Sequence, residues 1–484
     1  MKSLEDILNG VDYSSRNFVN VEILDVCDDS RKVKEGSLFI ATKGIVVDGH
    51  KFIKQAIESD VRCVVYEIDQ EIDWPDDVVA IKVENSTDAK SQIAKNFFQD
   101  PSSHLELIGV TGTNGKTTVC SILYDLFEKL GFKVGLISTI SYKYNGNEIP
   151  STHTTPDVIS LNRMISEMVD VGCQYVFMEV SSHAVDQKRI DGLNYKVAAF
   201  TNLTHDHLDY HGSFMNYLRA KQKFFDRLDK NSVAITNGDD KNGEVMLQNS
   251  KALKKTYGLR KISDYKAKIL TNSLLGLELE IDQTPVHFQF VGSFNAYNLM
   301  LVYAIATELG IDKTELLTVM SSLKPAPGRF ETLNLTDGIV GIVDYAHTPD
   351  ALKNILETIN QIKSASSKVI TVVGCGGNRD KEKRPKIARI AQELSDCLVI
   401  TSDNPRDEDP QGIIEDMKRG LLEDSECQVI DIEDRKKAIE LTKMISKAND
   451  VIVIAGKGHE KYQIVKGEKL PFDDVEILRN TFDS

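Results

Sequence analysis

The stretch Leu107-Ile108-Gly109-Val110-Thr111-Gly112-Thr113-Asn114-Gly115-Lys116-Thr117-Thr118 organises everything around it. An apolar run of strand length enters a glycine loop. Val119, Ile122, Leu123, Leu126, Phe127 and Leu130 then recur at helical spacing until Gly131 offers a stop. In a strand–loop–helix unit, glycines let the backbone curl so that successive N–H groups face phosphate oxygens, and the helix adds its positive end. Lys116 can approach the terminal phosphates of a nucleotide, and Thr117 can ligate magnesium. The strict phosphate-loop spacing is not met, because its first glycine position holds Val110 and the nearby glycine is Gly109. The Gly-Lys-Thr end and its setting still favour nucleotide binding over a purely structural glycine loop.

Working outward, Val134-Gly135-Leu136-Ile137 reads as the next strand, and Tyr175-Val176-Phe177-Met178-Glu179-Val180 as another that ends in Ser181-Ser182-His183. Polar residues at strand ends are where open α/β sheets expose functional groups. Glu179 and the run His205, Asp206, His207, Asp209 and His211 form a candidate metal cluster. Carboxylate oxygens and an upstream phosphate loop favour magnesium, zinc is an alternative, and a solvated polar loop is the bland one. Phe214, Leu218, Lys221 and Phe225 share one helix face, so a lysine interrupts an apolar stripe. Lys221 either snorkels, meets phosphate, or has its amine converted to a carbamate that supplies an anionic metal ligand.

At 484 residues the chain exceeds one ordinary core, and its pattern divides into three α/β domains at residues 1–103, 104–326 and 327–484. Asp100-Pro101-Ser102-Ser103 and Leu323-Lys324-Pro325-Ala326-Pro327-Gly328 interrupt the pattern at the two boundaries. In the first domain, short apolar runs flank a helix-compatible stretch at 49–57. In the last, Ile342-Val343, 369–373, 397–400 and 451–454 alternate with amphipathic stretches, which predicts a largely parallel, Rossmann-like sheet. Its strand ends carry Asp344 and His347, then 374–380, then Asp403-Asn404-Pro405-Arg406, then Gly456-Lys457-Gly458-His459-Glu460. Asp403 to Arg406 combine acceptors, an amide and a forked cation suited to an amino acid, or else make a surface turn with a local ion pair. Glu460 either receives an ammonium group or caps a helix.

A hydrophobic content of 41% argues against long disorder, and no segment approaches the roughly 20 apolar residues that span a bilayer. With no apolar signal core after Met1, the expected location is cytoplasmic. Seven dispersed cysteines without a CxxC pair fit reduced, mostly buried thiols. A formal charge of −15 disfavours a nonspecific nucleic-acid coat.

Taken in order, the segments Asp29-Ser30-Arg31, 112–118, Thr154-Thr155-Pro156, 179–183, 206–212, Gly292-Ser293-Phe294-Asn295, 327–331, 344–349 and 403–406 strongly resemble the cytoplasmic Mur ligase family over nearly the whole chain. The resemblance implies an ATP-dependent peptide-type ligase of three domains, with a central phosphate-loop ATPase. It would act as a monomer in peptidoglycan precursor synthesis, a pathway tied to cell-wall biogenesis, cell shape and division. It implies a first domain for the uridine nucleotide, touched by Ser30, and a muramoyl-dipeptide site around Thr154, Thr155, Ser181, Gln187 and Arg189. For ATP and Mg2+ it implies Gly112, Thr113, Asn114, Gly115, Lys116, Thr117 and Thr118, with metal ligands at Thr117, Glu179 and His207. Asn295 and Asn298 match the adenine-facing segment, and Arg329 and Asp344 match further nucleotide contacts. Lys221, in Ala220-Lys221, matches a lysine that the family carbamylates, and its apolar neighbours fit a shielded amine able to lose its proton.

For the incoming amino acid the resemblance implies Arg379, Asp403, Asn404, Arg406, Gly456 and Glu460. Arg406 favours meso-2,6-diaminopimelate over lysine, because only the former carries a distal carboxylate for the fork. The implied acceptor is UDP-N-acetylmuramoyl-L-alanyl-D-glutamate, activated as an acyl phosphate. Two alternatives differ in kind. A folate-polyglutamate ligase would not explain Ser30 or 403–406, and a nucleotide-regulated binding protein would leave the metal cluster and Lys221 idle.

Overall fold

The computed structural model describes every residue except 45, 46, 70, 152, 205 and 484, together with the side chain of residue 209. Three α/β sheets follow one another along the chain. The first has five strands in the order Tyr13–Arg16, Val79–Val83, Cys63–Tyr66, Ser37–Ile40, Asp25–Cys27, parallel apart from the Tyr13–Arg16 edge. Alternate strand residues enter two separate cores. Leu38 and Ile40 pack on one face and Phe39 and Ala41 on the other, as a sheet covered on both sides requires. Val158 and Ile159, from the helix Val158–Asp170, join the first of these cores and tie this sheet to the next part of the chain.

The central sheet has 11 strands. The strand Glu106–Thr111 lies inside it, between Tyr175–Glu179 and Val197–Phe200, and pairs in parallel with both. Its register sets Val110 opposite Glu179 and Ala199, so three adjacent carboxyl ends open at one edge. The helix Lys116–Lys129 then buries Val119, Ile122, Leu123, Leu126 and Phe127 against the sheet and stops where Gly131 takes φ of 88°. A second helix, Ser293–Glu308, is buried nearly all round, and its polar Asn295 and Asn298 sit in the first turns beside the phosphate loop. The three antiparallel strands Tyr265–Ser273, Gly276–Ile281 and Thr284–Phe288 extend the sheet on one side; the sequence pattern did not distinguish them.

The third sheet runs Glu331–Asn334, Val340–Asp344, Val451–Ala455, Val369–Val373, Cys397–Thr401, Gln428–Ile432, with only the first strand antiparallel. Its continuous Val and Ile runs are buried on both faces. The loops that follow Asp344, Val373, Thr401 and Ala455 therefore leave from one carboxyl edge, the edge at which open α/β sheets bind ligands. All seven cysteines are free thiols, six of them buried. No described helix is long and apolar enough to cross a membrane.

Candidate active site

The carboxyl edges of the second and third sheets face one another across a cleft of about 1580 Å³. Its walls include residues 113–118 and Lys221 on one side and Arg379, Arg406 and Glu460 on the other. The loop owes its shape to two glycines. Gly112 has φ of 149°, and a Cβ there would lie 1.9 Å from Thr201 Oγ1; Gly115 has φ of 89° and faces Asn298 Oδ1. The Thr113 N–H donates to the Asn202 carbonyl at 2.8 Å and the Asn114 N–H to Asn202 Oδ1 at 3.0 Å, while Thr201 Oγ1 donates to the Asn114 carbonyl at 2.6 Å. Asn202 thus braces the loop from the neighbouring strand end. Asn298 donates to Asn295 Oδ1 at 3.1 Å, and Asn295 to the Val291 carbonyl at 2.9 Å, so the two amides are ordered as a pair.

Two ammonium groups share the loop carbonyls. Lys116 Nζ donates to the carbonyls of Gly112 and Thr113 at 2.9 and 2.7 Å, and Lys221 Nζ donates to the same Gly112 carbonyl at 2.8 Å. Lys221 is 1% exposed and lies over the Tyr217 ring. Its pKa falls well below 10.5, first through burial and second through the neighbouring Lys116 charge. Burial lowers Lys116 as well. Snorkelling is excluded for Lys221, because its amine ends inside the protein rather than in water.

Thr117 Oγ1 donates to Glu179 Oε2 at 3.0 Å and receives Arg329 Nη2 at 3.2 Å. Glu179, fully buried, also accepts from the Thr139 N–H at 2.7 Å. A hydroxyl beside a carboxylate, next to a glycine cradle that a Cβ would fill, suits Mg2+ held largely through substrate phosphates. Among the described residues no three or more His, Cys, Asp or Glu side chains are grouped so as to hold a metal ion by themselves. His207 has φ of 53°, pairs with Asp206 at 3.4 Å and meets the His183 ring edge-on at 4.8 Å. His205 and the side chain of residue 209 lie outside the described residues. Asp344 accepts from the Phe330 and Ala346 N–H groups at 2.6 and 2.7 Å. Burial nevertheless raises its pKa to about 6 against the pull of Arg329. Arg329 itself stacks on Tyr345.

Thr154, Thr155, Ser181 and Arg189 line the cleft beside Glu179. Thr155 Oγ1 donates to the Glu179 carbonyl at 2.8 Å and accepts from the Ser181 N–H, so this wall is fastened to the strand end. Arg189 donates to the Thr155 carbonyl at 2.9 Å, and Gln187 Oε1 accepts from both Nε and Nη2 of Arg189. Gln187 is not among the residues lining the cleft, and its two bonds orient the Arg189 guanidinium. Ser30 is also outside the wall, buried in the first sheet's domain and donating to Gln55 Oε1 at 2.9 Å.

On the opposite wall Arg406, at φ of 53°, donates Nη1 to the Gly377 carbonyl at 2.8 Å, and the Gly377 N–H donates to the Asn404 carbonyl at 2.9 Å. A Cβ on Gly377 would sit 1.9 Å from the Pro405 carbonyl, so the two loops close onto each other only because that position is glycine. Asp403, Asn404 and Gly456 lie one layer behind the wall. Asn404 Nδ2 donates to Glu460 Oε2 at 2.7 Å, and the Lys457 ammonium reaches Asn404 Oδ1 and Glu460 Oε2, both at 3.1 Å. Lys457 is fully buried and was not singled out by the sequence, although it stands in the glycine-rich segment that was. Thr139 and Asn202 carried no sequence signal at all.

Family models match three successive segments: "Mur ligase family, catalytic domain" at 23–101, "Mur ligase middle domain" at 110–306, and "Mur ligase, glutamate ligase domain" at 328–458. A UDP-N-acetylmuramoyl-L-alanyl-D-glutamate–2,6-diaminopimelate ligase of Phocaeicola vulgatus is 50% identical over 480 residues, covering 99% of each chain. The ligase of the same description from Cytophaga hutchinsonii is 49% identical over 465 residues, 96% of each chain. A solved structure of a ligase so described superposes with a TM-score of 0.70 at 30% identity, covering 100% of this chain and 99% of the other.

Proposed function

The chain belongs to the Mur ligase family, and from that premise we propose that it is an ATP-dependent ligase joining meso-2,6-diaminopimelate to the D-glutamyl residue of UDP-N-acetylmuramoyl-L-alanyl-D-glutamate. The observation that carries this reading is a single cleft bordered by the phosphate loop with Lys116 and Thr117 and, opposite, by the Arg406 fork and Glu460. An acid to be activated and an amine to receive it can meet there. In the first step an oxygen of the glutamyl side-chain carboxylate attacks the γ-phosphorus of ATP, and ADP leaves. The loop amides and Lys116 compensate the charge on the phosphoryl oxygens. In the second, the neutral amine of diaminopimelate attacks the acyl carbon, phosphate departs, and the nitrogen gives up a proton.

Thr117, Glu179, His207 and a carbamylated Lys221 would hold Mg2+, which when bound neutralises charge on phosphate oxygens. Lys221 supports its part in this: a desolvated amine beside a second ammonium favours the neutral form that adds carbon dioxide, and the resulting anion removes the like-charge repulsion. Thr154, Thr155, Ser181 and Arg189 supply the acceptor wall. On the amine side, Arg406 receives the distal carboxylate and Glu460 the ammonium, with Arg379 beside them. We place the domain boundaries near 103/104 and 326/327, close to the limits of the matched segments. We place the reaction in the cytoplasm, where ATP is supplied.

An assay with ATP, Mg2+ and the uridine-linked dipeptide, offering each candidate amino acid in turn, tests the reading. Amide product is expected with meso-diaminopimelate. Product with lysine alone would overturn the side-chain assignment, and absence of both acyl phosphate and amide would overturn the ligase.

A further inference from the structure

A carboxylate from the third domain rests on the phosphate loop. Asp350 is in the first turn of the helix Pro349–Ile362, whose start is fixed by Pro349 and by Thr348 accepting from the Ala351 N–H. The helix follows directly on the strand Val340–Asp344 of the third sheet. Asp350 Oδ2 accepts three hydrogen bonds: from Asn114 Nδ2 at 3.0 Å, Thr204 Oγ1 at 3.0 Å and Asn354 Nδ2 at 3.3 Å. The first two donors belong to the ATP-binding half of the cleft, 236 and 146 residues away in sequence. Asn114 is itself immobilised by Asn202 and Thr201, and the Thr204 N–H donates to Thr113 Oγ1 at 3.0 Å. One oxygen thus joins the phosphate loop, the segment leading to His207, and the domain that carries Arg406. Among the described residues, the other hydrogen bond between the loop and the third domain is Arg329 to Thr117, at the far end of the loop.

Resting on the functional reading above, we propose that Asp350 is a positioning residue that keeps the amino-acid-binding domain docked on the phosphate loop, so that the acyl phosphate meets the amine before it meets water. The two fates of that intermediate balance differently. Amine attack forms the amide and releases phosphate, whereas water attack returns the glutamyl carboxylate and phosphate with no amide formed. Loss of docking is therefore read as phosphate released per amide made, a ratio that a general loss of folded enzyme leaves unchanged. All three bonds converge on one acceptor oxygen, so Asp350→Asn can retain them with its amide oxygen, whereas Asp350→Ala retains none.

The test measures phosphate and amide together, under saturating ATP, acceptor and diaminopimelate, for the native chain, Asp350→Ala, Asp350→Asn and Thr204→Val. Asp350→Ala is expected to raise the ratio at least ~3-fold. Thr204→Val, which removes one donor and keeps the helix intact, should raise it less, and Asp350→Asn should stay near native. Should Asp350→Ala not fold, Thr204→Val decides alone. A ratio unchanged in both Asp350→Ala and Thr204→Val, or a rise in Asp350→Asn equal to that in Asp350→Ala, overturns the proposal. If the native chain makes no amide, the functional reading fails instead. Small-angle scattering without ligands then decides docking, an expanded Asp350→Ala supporting it and superimposable profiles overturning it.

Discussion

Lys221 and Lys457 are both buried lysines, one in a wall of the cleft and one behind the opposite wall, and their partners differ in kind. Lys221 meets the Gly112 carbonyl, the Thr111 hydroxyl and the charge of Lys116; among the described residues no carboxylate is hydrogen-bonded to its amine, and the charge of Asp206 pulls more weakly the other way. Lys457 meets the Glu460 carboxylate and the Asn404 side-chain Oδ1, and so completes an ion pair. A buried cation without a hydrogen-bonded counter-ion is pushed toward the neutral, reactive amine, whereas one with such a partner becomes a strut. The phosphate half of the cleft thus stores chemistry in an unbalanced charge, and the amino-acid half stores geometry in balanced ones. Glu460 has its Oε2 committed to both Lys457 and Asn404.

The sharpest way to break this contrast is Lys221→Ala. It should slow phosphoryl transfer by about 10²–10³-fold, with partial recovery on adding short carboxylates, measured as ADP formed in a single turnover. Undiminished transfer would make Lys221 as structural as Lys457. Next in size is a pH effect at the seam between the halves. Burial raises the folded pKa of Asp344 to about 6 from an ordinary 3.8, so folding takes up a proton between those values. Stability from this group is present below the lower value and is lost as pH rises through the upper one, on the order of 3 kcal/mol in all. Urea unfolding of the native chain and Asp344→Asn should therefore show the native chain losing ground as pH rises from about 4 to about 7. A pH-independent difference would count against it.

On the amino-acid side, Arg406→Ala should raise KM for diaminopimelate about 10-fold while leaving KM for ATP in place, since a charge-assisted fork is lost from one station only. An unchanged dependence on that amino acid would remove Arg406 from the pocket. The smallest expected effect is that of Lys457→Met, a rise of about 3-fold in the same KM with kcat nearly retained, because Asn404 still holds Glu460. A collapse of kcat without a change in KM would mean that Lys457 does chemistry, and the contrast between the two lysines would fall.

How much of this was readable beforehand follows the range of the interactions. The phosphate loop is a property of neighbours in sequence: its glycines, its following helix and its lysine lie within one short segment, and they appear in the structure as a cradle. The lysine in an apolar stripe at 221 was visible for the same reason, because i, i+3 and i+4 positions share a helix face. The three antiparallel strands between 265 and 288 escaped, since their short polar alternation resembles loop until strand pairing supplies the hydrogen bonds. Gln187, expected at the acceptor site, is also a brace for Arg189, a relation that depends on which way a side chain points.

By itself the sequence determined the local devices: a strand that feeds a phosphate loop, parallel sheets built from continuous apolar runs, and polar residues at their carboxyl ends. Backbone conformation and side-chain periodicity, both encoded within a few residues, are sufficient for these. Only the tertiary structure decided that two carboxyl edges face each other. It also decided that Lys221 and Lys116 share one carbonyl, that Lys457 props Glu460, and that Asp350 reaches Asn114 from 236 residues away. Those relations come from how whole sheets pack, and the charge on a buried group depends on neighbours that the chain delivers only when folded.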